Sequence, residues 1–157
     1  MIKDSNCKSA IILGMHDAIV SLTGLIAGLF FAFTDANIII ISCIISSITA
    51  SLSMGAANYL ATKAKDGRTA LKSAFYTAGA YMITCFFLIL PFFIFNERVI
   101  TLTAIILMAI FIIFIFNSCC YRGKIFYQHF FEMLSICTVV STVAFFIGEI
   151  ASKLFGI

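Results

Sequence analysis

The chain reads as five long apolar stretches separated by short polar ones. The apolar stretches are 11–33, 37–61, 71–95, 99–117 and 132–155, and the separators are "TDA", "TKAKDGRTA", "NER" and the longer "SCCYRGKIFYQHFF". Each stretch is close to or above the about 20 residues a helix needs, at 1.5 Å per residue, to cross about 30 Å of hydrocarbon. The ten-residue alternating segments of a transmembrane barrel are missing. The pattern predicts an all-α polytopic membrane protein, a bundle of five transmembrane helices. No separator is long enough to act as a linker, so residues 1–157 form a single membrane domain. The first stretch exceeds a signal-peptide core, contains Asp17 and ends in "FAFTDAN" without a small-residue cleavage pattern, so it is read as a mature span.

Composition agrees. With 62% hydrophobic residues, 18 Phe and only 11% charged residues, the chain has more apolar surface than a soluble globule of 157 residues can hide. The net charge of +3 raises nucleic acid as a partner, but the basic residues sit in short loops beside apolar spans and form no phosphate-binding face. They act instead as topology determinants. Lys3, Lys8, Lys63, Lys65, Arg68, Lys72, Arg122 and Lys124 fall on one side, Arg98 and Lys153 on the other. The positive-inside rule then puts the N-terminus in the cytoplasm and the C-terminus outside. Cys43, Cys85 and Cys137 lie inside apolar runs, Cys119 and Cys120 close one, and Cys7 lies near the N-terminus; none has disulfide or zinc spacing.

The informative positions are the polar ones inside the spans. Asp17, beside His16, costs on the order of 2.5 to 3.5 kcal/mol in hydrocarbon, and intramembrane carboxylates mark ion pathways. Asp17, Ser21, Gly24 and Gly28 make one stripe of the first span, ending in the small-xxx-small pattern "GLIAG". Cys43, Ser47, Ala50, Met54 and Asn58 make a similar stripe in the second, and the two are expected to face each other. Counting 1.5 Å per residue from the cytoplasmic ends puts Asp17 and Met54 both roughly 9 to 10 Å deep. Carboxylate oxygen, thioether sulfur and, from His16, imidazole nitrogen form a mixed donor set suited to divalent transition metals. The same carboxylate can take up a proton when the metal leaves. Elsewhere, His129 and Glu132 share a helix face in an aromatic, basic approach to the last span. Ser135, Thr138, Thr142 and Glu149 form a stripe in that span, and Pro91 offers a kink in the third.

"GMHDAIVSLTGLIAG" followed by "SITASLSMGAANYLATKAK" resembles the vacuolar iron transporter family, whose first span carries an Asp-Gly motif and whose second carries a Ser-Met motif ending in Tyr. Here these are Asp17-Ala18 and Ser53-Met54 through Tyr59. The tail from "GKIFYQHFF" is similar to the family's last span. The resemblance implies a five-span homodimer that moves ferrous iron, and manganese, out of the cytosol in exchange for protons. It implies Asp17 and Met54 as pore ligands. Two departures stand out. Ala18 replaces the motif glycine, and the separator 61–70 holds no Glu where well-known members insert a glutamate-rich metal-binding domain.

The reading is therefore a transporter and not an enzyme, with Asp17, Met54, His16 and Asn58 as candidate metal-contacting residues. Fe2+ or Mn2+ is cargo, and no permanently bound cofactor is expected. Its partners are a second copy, protons and the bilayer. A bacterial inner membrane is favoured over a vacuolar one. The alternatives are a non-transporting assembly or anchoring protein, whose polar stripes only join helices, and a passive cation channel.

Overall fold

The computed structural model describes residues 2–65, 67–120 and 124–155, with side chains in 7–65, 67–118 and 125–154. The side chains of Lys3, Cys119, Cys120, Tyr121, Arg122 and Lys124 lie outside this description. The described residues form helices α1 (Ile2–Ala32), α2 (Ala36–Lys65), α3 (Ala70–Ile89), α4 (Pro91–Ile94), α5 (Arg98–Cys120) and α6 (Lys124–Phe155), with no strand among them. A backbone without water must satisfy its own N–H and C=O groups, and in one continuous segment only a helix does so. Five segments are long and apolar enough to cross a membrane: Cys7–Ala32, Ala36–Lys65, Ala70–Ile94, Arg98–Ser118 and Ile125–Leu154.

Two local features refine the expected spans. Pro91 has no N–H to give and divides the third span into α3 and α4, yet pairing resumes at once, with the Phe95 N–H on the Pro91 carbonyl at 3.0 Å. The aromatic run before the last span forms the first turns of α6, where a separate surface approach was expected. Phe126 and Phe130, four residues apart, stack at 5.9 Å, and both present edges to Phe114 of α5 at 5.6 and 6.3 Å.

Helix α1 is the centre of the bundle. It packs along α3 on one side and α6 on the other; α2 lies mainly on α3, and α5 closes the gap between α3 and α6 more loosely. Lipid tails are as apolar as leucine, so such contacts depend on close backbone approach. Glycine provides it. A Cβ on Gly14 would strike the Thr77 backbone of α3, one on Gly28 would come within 3.0 Å of the Ala144 carbonyl, and one on Gly148 would strike the Gly28 backbone.

This corrects one expectation. Gly24 and Gly28 face Val140 and Ala144 of α6, not α2. The Gly24–Gly28 end of the first stripe therefore does not face the second span; α1 and α2 touch, but each packs more extensively on α3, which Gly14 on one flank and Gly55 on the other let them approach.

The far end of α1 is tied by Arg98. Its guanidinium donates to the carbonyls of Thr34, at 3.0 Å, and Phe30, and lies 4.5 Å from the centroid of the Phe30 ring. Carbonyls left over at a helix C-terminus are thus satisfied by a cation. In the next turn the Asp35 carboxylate accepts from the Asn37 N–H at 2.9 Å, fixing the tight start of α2.

Replacing Gly148 or Gly14 by alanine pushes a methyl into facing backbone and is expected to destabilise the bundle by about 1–3 kcal/mol, the usual cost of overpacking. An added Cβ on Gly79 meets nothing within 4 Å, so Gly79→Ala is expected to leave stability unchanged or raised. Thermal unfolding of the detergent-solubilised variants checks both; equal melting of all three would remove the glycine contacts as the basis of packing.

Candidate functional site: a polar seam along the third helix

Polar side chains from α1 and α2 converge on one side of α3. From the end nearest the α2–α3 turn, the first contact is Asn58 of α2. Its side-chain amide nitrogen donates to the Ser73 hydroxyl at 2.9 Å, the Ser73 carbonyl at 3.2 Å and the Thr77 hydroxyl at 2.5 Å. Its carbonyl oxygen accepts from Thr62 at 3.3 Å. The amide is therefore committed to joining α2 to α3. Gly55, one turn on, lets the helices close, since a Cβ there would lie 3.1 Å from Ala78 Cβ.

One turn further along α3, Tyr81 is buried and its hydroxyl pairs with the Ser21 hydroxyl of α1 at 2.7 Å. Asp17 lies one turn before Ser21 on the same stripe and within electrostatic reach of both Tyr81 and Cys85. Cys85 in turn adjoins Ser47 and Cys43 of α2. Asp17, Ser21, Tyr81, Cys85, Ser47 and Cys43 thus form a run of polar and polarisable groups through three helices, where lipid alone would select Leu or Ile.

The register of these contacts fixes the level of Met54. Asn58 stands at Thr77 and Ser47 at Cys85. Met54, between them on α2, therefore shares a level with Tyr81, between them on α3. Its side chain is half-buried against the core. Asp17 stands lower on α1, between Gly14 at Thr77 and Ser21 at Tyr81, within about one turn of that level. Asp17 is nevertheless exposed on the surface of the single chain, while its neighbour Ala18 is fully buried.

The other sequence-derived positions separate from this seam. His16 turns toward α5, its ring edge against Phe116 with centroids 5.2 Å apart. Its Nε2 is buried and has no hydrogen-bond partner among the described residues. His129 and Glu132 lie within 3.3 Å of each other at the start of α6. Glu149, near the other end, pairs with Lys153 at 2.7 Å. Among the described residues no three His, Cys, Asp or Glu side chains of one chain come together as a metal cluster. Cys7, Cys43, Cys85 and Cys137 are free thiols.

The site residue that the sequence did not single out is Tyr81. It sits in "AGAYMITC", where a buried tyrosine hydroxyl needs a polar partner from another helix, and the available one was Ser21. Its position at i, i+4 from both Thr77 and Cys85 was the available signal.

Five membrane-length helices, with a polar seam along the third and a carboxylate at its open edge, define a polytopic helical membrane protein. Residues 8–70, which hold the first two spans and the turn after them, match the family model described as the VIT family. The resemblance to the vacuolar iron transporter family drawn from the motifs around Asp17 and Met54 is borne out on that segment. The likeness of the tail to the family's last span lies outside the match. No curated protein matches the chain.

Asn58→Leu leaves the Thr77 hydroxyl without its α2 partner and Ser73 with only the longer bond from Thr62, and is expected to destabilise the protein by about 1–3 kcal/mol. Thr49→Ala, which removes a bond only to Ile45 of its own helix on an exposed face, is the control and is expected to be near neutral. Chemical or thermal unfolding in detergent measures the difference; an Asn58 variant as stable as the control would mean that the amide does not join the helices.

Proposed function

We propose that the protein is a divalent transition-metal exporter, ferrous iron first and manganese second, which carries metal out of the cytosol in exchange for protons and acts as a homodimer. The observation that carries this reading is Asp17, a carboxylate inside a span and exposed on the single chain. A carboxylate facing acyl chains is unfavourable by on the order of 2.5 to 3.5 kcal/mol, which a second copy or a bound cation relieves. The VIT-family match over the same two spans supports it.

In this reading the metal enters past Asn58 from the cytoplasmic face, which the excess of Lys and Arg marks. It is then held between Asp17 and Met54 of both subunits at the two-fold axis. Oxygen and sulfur together favour a transition metal over magnesium or sodium. Two chains supply four donors where one supplies two, which fits the want of a complete cluster among the described residues of one chain. Protonation of Asp17 removes the charge that holds the cation and favours its release outward. Tyr81, bound to Ser21, positions the α1 face that carries Asp17. His16 approaches the metal only if its ring leaves Phe116.

The experiment is metal uptake into sealed vesicles containing the purified protein, with and without an imposed pH gradient. The expected result is Fe2+ movement that is accelerated by the gradient, reduced at least tenfold in Asp17→Ala and reduced in Met54→Ala, with dimer assembly retained. Movement at the wild-type rate in Asp17→Ala removes that residue from the mechanism. Movement indifferent to the gradient makes the protein a passive channel.

A further inference from the structure

The face of α3 opposite the polar seam carries a second feature. Between α3 and α5, floored by Ile11 and Met15 of α1, runs an apolar groove of about 770 Å³. It extends along α3 from Phe75 to Leu90, about 22 Å at 1.5 Å per residue, which exceeds the about 15 Å depth of one leaflet's hydrocarbon. Its floor on α3 is left open by Gly79, where an added Cβ would meet no atom within 4 Å. The rim residues Phe75, Ile83 and Phe111 are exposed, so the groove opens sideways, toward where lipid lies.

One end is charged. Lys72, exposed, precedes Tyr76 and Gly79 by four and seven residues and so stands on the same stripe of α3 as the groove, beyond its Phe75 end. The last turn of α2 adds Lys63 and Lys65, and the α2–α3 turn adds Arg68. Tyr76, exposed and amphipathic, sits between the lysine and the apolar floor, as aromatic residues do at a membrane–water boundary.

We propose that this groove is a binding site for an anionic phospholipid, with one acyl chain lying across Gly79 and the headgroup phosphate at Lys72. A neutral lipid would fill the same apolar volume but gain nothing from the lysine, which contributes about 1 kcal/mol to attraction of an anionic headgroup, equivalent to about fivefold in occupancy. This site lies on the other side of α3 from Asp17 and does not depend on the transport reading.

The chain contains no tryptophan, so one introduced indole reports on one place. Ile83→Trp sits in the groove, and Leu107→Trp sits on an exposed face of α5 outside it. Each is reconstituted with phosphatidylglycerol or phosphatidylcholine brominated in mid-chain, which quenches nearby indole. The expected result is that Trp at 83 is quenched at about fivefold lower mole fraction of the anionic lipid than of the neutral one, while Trp at 107 shows no preference. Lys72→Gln, on an exposed position, abolishes the preference, and Gly79→Leu lowers quenching at 83 by either lipid. Equal quenching by the two lipids at position 83 overturns the proposal, as does preference unchanged in Lys72→Gln. Shielding of Trp 83 from both lipids overturns it too and makes the groove a protein contact.

Discussion

The structure depends on how closely α1 can approach its two neighbours. In hydrocarbon there is no water to expel, so helices associate through dispersion and the few polar bonds they share. Gly14 opens α1 to the Thr77 backbone, and Gly28 with Gly148 lets α6 reach it from the other side. With α1 held between α3 and α6, the positions one turn along from Gly14 cannot rotate freely. Asp17 is then fixed at the edge of the α3 seam, and Ala18, next to it, is fully buried.

The polar groups follow from the same constraint. With α1 and α2 both packed on α3, a hydroxyl or amide on either helix finds its partner on α3: Ser21 on Tyr81, Asn58 on Ser73 and Thr77. Each such bond contributes modestly, but an unsatisfied partner in hydrocarbon is costly, so the bonds fix register more than they add stability. Register is what brings Asp17, Tyr81 and Met54 to within about one turn of each other, and of these the Asp17 carboxylate remains exposed.

Much of this was legible in the sequence, and the part that was not has a physical reason. Span number and approximate limits follow from apolar run length, because bilayer thickness sets it. A comparable depth for Asp17 and Met54 was an expectation from rise per residue and antiparallel direction. Helix neighbours did not follow. The stripe Asp17, Ser21, Gly24, Gly28 stays within about 60° of one face of α1 at 100° per residue, yet Ser21 meets α3 and Gly28 meets α6, so a single face is shared between two neighbours. Small-residue spacing announces a close contact without naming the partner. Tyr81 was missed for the same reason, since its role exists only when Ser21 is opposite.

Helix α3 therefore has two faces with different obligations. Tyr81 and Gly79 are two residues apart, about 200° around the helix, so one points into the polar seam and the other into the open groove beside α5. A helix packed tightly on both sides would be held in place by side chains alone. This one is held on one side by hydrogen bonds to α1 and α2 and leaves the other to whatever fills the groove. A displacement of α3 toward α5 works against the Ser21–Tyr81 and Asn58–Thr77 bonds, so what fills the groove bears on the seam, and the two faces of α3 are a single mechanical problem for this fold.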